Sequence, residues 1–248
     1  MAATKISVIT VTYNASATIG RCIESVINQK YPNLEYIIID GGSKDKTLEV
    51  IGKYRDQISQ VVSEPDKGIY DAMNKGIKRA TGDIVGIINA DDLLADDEVI
   101  SAVAAAFDAT DTDVVYGDLD YINADDQVLR KWRSGNYKHG LFNWGWMPPH
   151  PTFYAKRELF EKYGFYKLDY GTAADYELMT RFIHANRLKT HYVPKVLVKM
   201  MQGGVSNQSF GNRMNAWSND LKAMRNNKIA FPLLAIVLKP FRKLSQFV

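Results

Sequence analysis

Short runs of β-branched residues alternate with segments of helical period through the first half of the chain. Residues 6–11, 34–39, 60–63, 84–88 and 114–116 are largely apolar and rich in Ile and Val. Such side chains pack well on a pleated surface, and a near-continuous apolar run belongs to a strand buried on both faces. Between the first two runs Ile19, Cys22, Ile23, Val26 and Ile27 recur at helical spacing, and Pro32 stops that amphipathic helix. A second connection starts at an Asp45 cap and carries Leu48, Ile51 and Tyr54. A third carries Ile69, Met73, Ile77 and Ala80 and ends at Gly82. A fourth, capped near Asp96, presents Val99, Ile100, Val103 and Phe107. This alternation predicts an α/β fold, a mostly parallel sheet with helices on both faces and right-handed crossovers. In such a fold ligands sit beyond the carboxyl ends of the strands.

The pattern changes after about residue 117. Segments 118–122 and 127–132 flank Asn123-Ala-Asp-Asp126 as a hairpin, and an aromatic, Pro-rich passage follows from Phe142 to Pro151. Helices are expected over 156–163 and 175–186, the second through Leu178, Met179, Phe182 and Ile183. The second half reads as a mixed layer built onto the sheet. No internal repeat or low-complexity linker divides the chain. The expectation is one domain over 1–220, with a first half at 1–117 and a second half at 118–220, followed by a tail at 221–248.

Composition narrows the class. A chain of 248 residues, 46% hydrophobic and 24% charged, is globular and long enough for a large core. The lone Cys22 excludes an internal disulfide and a cysteine-cluster metal site, in keeping with a reducing cytoplasm. The first residues lack the order of a signal peptide. The longest apolar stretch, 229–238, is about half of the ~20 residues a membrane-spanning helix requires.

Polar features cluster at the expected strand ends. Thr10-Val-Thr-Tyr-Asn14 closes the first strand and Asp40-Gly-Gly-Ser-Lys-Asp45 the second. Gly41 and Gly42 permit a tight turn, and Asp40 offers acceptors for a ribose hydroxyl or a base N–H, while a plain turn and helix cap reads equally well. The segment Asp66 to Gly76 leads into the third helix, where Asn74 and Lys75 serve a ligand or form an exposed helix face. Asn89, Asp91 and Asp92 follow a strongly apolar strand. Adjacent, partly buried carboxylates call for a cation, and hard oxygen ligands favour Mg²⁺ or Mn²⁺; a helix cap with solvated acids is the alternative. No Gly-x-Gly-x-x-Gly or Gly-x4-Gly-Lys-Ser/Thr motif is present, which disfavours dinucleotide dehydrogenases and P-loop enzymes.

The order Thr-Tyr-Asn, Asp-Gly-Gly-Ser, Asp-Lys-Gly…Asn-Lys-Gly, Asn-Ala-Asp-Asp and Ala-Asp-Tyr-Glu-Leu resembles the family 2 glycosyltransferases over residues 5 to about 206. The resemblance implies the GT-A fold, a Rossmann-like sheet with a smaller mixed acceptor layer and a C-terminal helical tail. It also implies inverting transfer from a nucleotide-diphosphate sugar to a saccharide or lipid-linked saccharide, as in bacterial polysaccharide assembly. By the same resemblance Thr12, Tyr13, Asn14 and Asp40 contact the nucleotide, with Asp66, Asn74, Asn89 and Asp91 completing the donor site. Asp91 matches the final acid of the DXD motif and is the metal ligand for Mn²⁺ or Mg²⁺, and Asp175 matches the catalytic base. Two positions depart from the pattern: Asn89 stands for the first Asp of DXD, and Ala174 for the Glu that often precedes the base.

Chemistry agrees with that assignment. A sugar hydroxyl must lose its proton as it attacks the anomeric carbon, and one carboxylate suffices as general base. Trp144, Trp146 and His150 are the acceptor-site candidates, since two tryptophans two apart in an extended segment face the same way; filling the core is the other reading. Gly203-Gly-Val-Ser206 reads as a loop or lid beside the site, or as a plain turn. A sugar nucleotidyltransferase would want a basic Gly-rich loop after the first strand, and a non-catalytic sugar-nucleotide-binding or scaffold protein remains the alternative of a different class.

The net charge of +3 conceals a division. Residues 1–220 hold 25 of the 31 basic residues and all 28 acidic ones, a net of −3, while 221–248 holds six basic residues and no acid. Mixed with Phe, Leu, Ile and Val, that tail suits an anionic membrane surface, or a helix docked on the domain's own core. The expected partners therefore include a membrane but no nucleic acid, with the protein peripheral on the inner face of the cytoplasmic membrane.

Overall fold

A computed structural model of the chain describes residues 3–201, 210–242 and 246. The first half runs β1 (Ile6–Thr12), α1 (Ile19–Ile27), β2 (Leu34–Asp40), α2 (Thr47–Gly52), β3 (Gln60–Ser63), α3 (Ile69–Arg79), β4 (Ile84–Asn89), β5 (Asp92–Leu94) and α4 (Val99–Ala109). The second half runs β6 (Val114–Ile122), β7 (Val128–Trp132), β8 (Tyr154–Lys156), α5 (Glu158–Tyr163), α6 (Ala174–Met179), β9 (Thr190–Met201), α7 (Phe210–Asn226) and α8 (Pro232–Phe241). The sheet order is β3-β2-β1-β4-β8-β6-β9-β5, with β7 paired to β6. β1, β2, β3 and β4 are parallel.

Alternation of side chains explains why these strands are apolar throughout. On β1 and β2, Ile9, Val11, Ile37 and Ile39 enter one core with α3 and the C-terminal helices, while Ile6, Val8, Tyr36 and Ile38 enter the other with α1 and α4. The α1 stripe is buried as its spacing predicts, and Asp45 accepts from the Thr47 N–H (3.0 Å) at the start of α2. Cys22 is buried, and burial pushes its thiol up to about 12.

The second half departs from expectation in three respects. It is not a layer added to the sheet but a continuation of it: β8 lies antiparallel between β4 and β6, and β6 pairs parallel with β9. The helix expected from 175 to 186 is α-helical only to Met179 and continues as a π-helical turn over Thr180–Ala185. The boundary expected at 220 falls inside α7, whose Ala223 and Met224 are buried in the core. Pro232 opens α8, and Pro240 lies within it. Among the described residues no helix is long and apolar enough to cross a membrane.

At the amino ends of the strands a buried carboxylate ties three elements together. Glu35 on β2 accepts from Ser7 Oγ of β1 and from Thr81 N (2.8 Å) and Thr81 Oγ1 (2.7 Å) ahead of β4, with Lys5 Nζ at 3.6 Å. Burial alone would push this carboxyl up, but the hydrogen bonds from Ser7 and Thr81 and the Lys5 charge hold it below the ordinary glutamate value of 4.5. A depressed carboxyl stabilises the fold above pH 4.5, and this contribution is lost as pH falls through the lower folded-state value. Glu35→Gln should therefore cost about 1.5–3 kcal/mol in urea unfolding at pH 7. The deficit should shrink as the pH is lowered below 4.5, and a deficit independent of pH would contradict the ionised role.

Candidate active site

The parallel register sets the floor of the site. Thr12 lies opposite Asp40, and Val11 opposite Asn89, so the polar residues ending β1, β2 and β4 stand level along one sheet edge. Asn14 adopts a left-handed backbone (φ 49°) and locks two loops: its N–H donates to Ser43 Oγ (2.8 Å), and its Oδ1 accepts from Lys44 N (2.9 Å). Tyr13 is left 60% exposed beside Gly41. Thr12 Oγ1 is buried with no hydrogen-bond partner in the protein.

Asp40 is engaged within the turn that follows β2. It is fully buried, and its carboxylate accepts from Gly42 N (3.2 Å), Ser43 N (3.0 Å), Ser43 Oγ and Ser63 Oγ (2.6 Å). Four donors within the protein make it the brace of the turn. The carboxylate that reaches the turn's surface is Asp66, whose Oδ2 would lie 2.4 Å from a Cβ placed on Gly41. Only glycine at position 41 admits that approach. Asn74 is likewise committed inside the protein, bracketing Tyr166 through its amide to Tyr166 O (2.8 Å) and its carbonyl from Tyr166 N (2.9 Å).

Beyond β4 the acids stand as the spacing suggests. Asp92 is fully buried; Asn89 Nδ2 donates to its Oδ2 (3.1 Å), while Asp92 Oδ1 and Asn89 Oδ1 are buried without partners. Burial and the adjacent Asp91 charge push the Asp92 carboxyl well above its usual range. Unpaired hard oxygens next to Asp91 fit a divalent cation in kind. Among the described residues no group of three or more His, Cys, Asp or Glu side chains could hold a metal ion. An ion here would complete its shell with water and ligand phosphates, as Mg²⁺ commonly does.

Asp175 lies in the first turn of α6, its Oδ1 accepting from Tyr176 N (2.7 Å). The other oxygen is 3.4 Å from His150 Nδ1, on the 3₁₀ turn just before β8. Burial lowers the His150 pKa from 6.5, while the negative charges of Asp175 and, less strongly, Asp91 oppose that shift. One imidazole thus feels both Asp91 after β4 and Asp175 on α6. Tyr70, which sequence reasoning passed over, stacks on Tyr166 (5.5 Å between ring centres). Burial raises its phenol well above the usual range, and Asp175 adds to the shift. Its signal is its place between Asp66 and Asn74, on the same side of α3 as Met73 and Ile77, where its ring packs against the core.

The acceptor candidates separate. A 3₁₀ turn over Leu141–Trp144, followed by left-handed Gly145, replaces the extended segment expected there. Trp144 is 50% exposed, whereas Trp146 is 6% exposed, donates Nε1–H to Ser134 O (2.9 Å) and packs edge-on against Phe142 and Tyr116. Trp146 is a core residue. The loop expected at 203–206 lies outside the described residues.

The level row of polar strand ends, the two loops above it and the acid at the start of α6 make one candidate site. The glycosyl transferase family 2 model matches residues 7–167, and the chain belongs to that family. It is 30% identical over 220 residues to a PGL/p-HBAD biosynthesis glycosyltransferase of Mycobacterium bovis, covering 84% of this chain and 81% of the relative. The fold is similar to that of S. aureus TarS 1–349 in complex with UDP-GlcNAc (TM-score 0.72, 18% identity, 94% of this chain and 69% of that one). It is also similar to the mannosyltransferase PcManGT of Pyrobaculum calidifontis in complex with GDP-Man and Mn²⁺ (TM-score 0.68, 20% identity, 96% and 69%). The chain spans 39% of a longer TarS structure.

In metal-free protein the His150 imidazole should titrate below 6.5 and be neutral at pH 7. Asp175→Asn removes a nearby negative charge that favours the protonated form, so the midpoint should fall further. Imidazole ¹H–¹⁵N spectra measure both, and an unchanged or raised midpoint in the variant would remove the pair from the site.

Proposed function

We propose that this family 2 enzyme is an inverting, metal-dependent hexosyltransferase. It moves a sugar from a nucleotide-diphosphate donor to a hydroxyl of a lipid-linked saccharide, in cell-surface polysaccharide assembly at the inner face of the cytoplasmic membrane. The observation that carries the reading is His150 Nδ1 at 3.4 Å from Asp175 Oδ2, on an imidazole that also feels the charge of Asp91. The nucleotide complexes of TarS and PcManGT, and the Mn²⁺ of the latter, support the donor class and the use of a divalent ion.

On this reading Tyr13 offers an aromatic face to the base, and Asp66 and Thr12 Oγ1 offer polar contacts to base and ribose. Asp40 and Asn14 act through the turn by fixing its shape. Asp91, with Asn89 and Asp92 beside it, would hold Mn²⁺ or Mg²⁺. When bound, such an ion supplies positive charge against the diphosphate leaving group. Asp175 accepts the proton of the attacking hydroxyl, and a single displacement with the base opposite the leaving group inverts the anomeric carbon. Neutral His150 holds the Asp175 carboxylate from one side. The buried Glu177–Arg181 pair fixes the helix carrying it: Glu177 accepts from Arg181 Nη2 (2.9 Å), and Arg181 donates to the carbonyls of Tyr163, Gly164 and Phe165. Trp144 stands exposed near the same passage as the aromatic surface for the acceptor.

A thermal-shift panel of nucleotide sugars with and without Mn²⁺ identifies the donor, since a ligand of the native state must raise its stability. With that donor, Asp175→Asn should lower kcat by about 10²–10⁴-fold. Donor affinity by calorimetry should stay within a few-fold. Turnover that survives this change would dismiss Asp175 as the base. Chelation by EDTA should stop transfer, and added Mn²⁺ or Mg²⁺ should restore it, with Asp91→Ala refusing rescue. Donor binding without any transfer by the wild-type chain would instead mark a non-catalytic sugar-nucleotide-binding protein.

A further inference from the structure

Helix α8 is amphipathic in the reverse sense. Its single charged residue, Lys239, faces the domain, with Nζ 2.7 Å from Asp220 Oδ2 of α7 and 3.9 Å from the centre of the Tyr176 ring on α6. Ala235 is fully buried beside it. The helix lies so close to the 3₁₀ turn at 141–144 that a Cβ on Gly145 would meet Ala235 O and Lys239 N at 2.8 Å. The side turned to solvent carries Leu233, Val237 and Phe241 at four-residue spacing, exposed by 67%, 56% and 60%. Leu234 and Pro240 extend it, so no polar side chain of α8 lies on that face.

Leaving such a face in water forgoes roughly 25 cal/mol for every Å² of apolar area that a partner would cover. The charge around it selects the partner. From 221 to 248 there is no acidic residue, and Arg225, Lys228 and Arg242 are exposed just before and just after the helix. An apolar helical face whose flanking chain segments carry basic and no acidic residues matches the acyl boundary and headgroups of an anionic bilayer. We propose that the outward face of α8 inserts into an anionic lipid surface. The contacts of Lys239 and Gly145 hold the helix against the turn bearing Trp144 and against α6, the helix bearing Asp175, so lipid docking orients the acceptor side of the cleft toward the membrane. This rests on the reading of a lipid-linked acceptor above for its purpose.

Flotation with vesicles of phosphatidylcholine containing phosphatidylglycerol, against phosphatidylcholine alone, tests it without any sugar transfer. The full chain should co-float with the anionic vesicles and far less with the neutral ones. Val237→Asp with Phe241→Ser, which alters exposed side chains only and should leave the thermal midpoint unchanged, should reduce the floated fraction at least tenfold. Equal flotation of this variant, or no flotation of the wild type, overturns the proposal. Self-association in sedimentation that the variant abolishes, without flotation, would assign the face to a second copy and overturn it too. Asp175→Asn should float like the wild type, so failure of the catalytic reading and failure of the lipid reading give different results.

Discussion

Three residues of antiparallel strand hold the two halves of this protein in one sheet. β8 pairs on one edge with Ile84–Gly86 of β4 and on the other with Val114–Val115 of β6. Its Tyr154 ring lies across Gly86, where a Cβ would meet Tyr154 Cε1 at 2.1 Å, so the contact depends on the absence of a side chain there. The 3₁₀ turn immediately before β8 carries His150, and the strand after β4 carries Asp92. Splicing β8 into the sheet therefore brings Asp91 of the first half within electrostatic reach of an imidazole whose other neighbour, Asp175, belongs to the second half. A site assembled across a splice is only as well ordered as the strand that makes it. Here that strand is buried, with Tyr154 and Ala155 inside the core on opposite faces.

The first half was legible because its signals are periodic. Continuous Ile and Val runs mark strands covered on both faces, and the α1 stripe marks a helix on one of them. β8 and β5, three residues each, carry too few positions for any period. β9 was missed for another reason: Pro194 and Lys195 interrupt it, and a proline argues against a strand paired on both sides. Its pairing with β6 shifts register around Gly117, which takes the proline out of the ladder. The two tryptophans show the limit of local reasoning. Two-residue spacing implies a shared face only if the backbone is extended, and left-handed Gly145 turns one indole outward and the other into the core.

At the site, residue type and position along the chain identified the acids but not their tasks. Asp40, Asp66 and Asp91 look alike in sequence. They differ in how many donors the fold supplies: Asp40 meets four protein donors, Asp66 Oδ1 meets only the N–H of Gly68, and the oxygens beside Asp91 include two with none. An acid whose acceptors are filled from within shapes the site, whereas unfilled acceptors are available to a ligand. Donor counts of this kind depend on Ser63 meeting Asp40 across neighbouring strands, 23 residues away in the chain. No spacing rule conveys that. The same holds for Tyr70, whose stacking on Tyr166 depends on Asn74 gripping the Tyr166 backbone.

The tail shows how a charge census and a structure constrain one another. Residues 221–248 hold six basic residues and no acid, which suits either an anionic membrane or a helix docked on the domain's own core. The structure commits two of the six to the domain itself. Lys222 and Lys239 are spent on Asp169 and Asp220, so the domain's slight excess of acid is partly met from within. Their ion pairs draw the polar side of the tail inward, and in α8, where Lys239 is the one polar residue, an inward lysine leaves only apolar side chains to face out. A helix docked on its own domain and a helix prepared for a lipid surface are thus the same object: the docking fixes which face is left over, and that face is apolar.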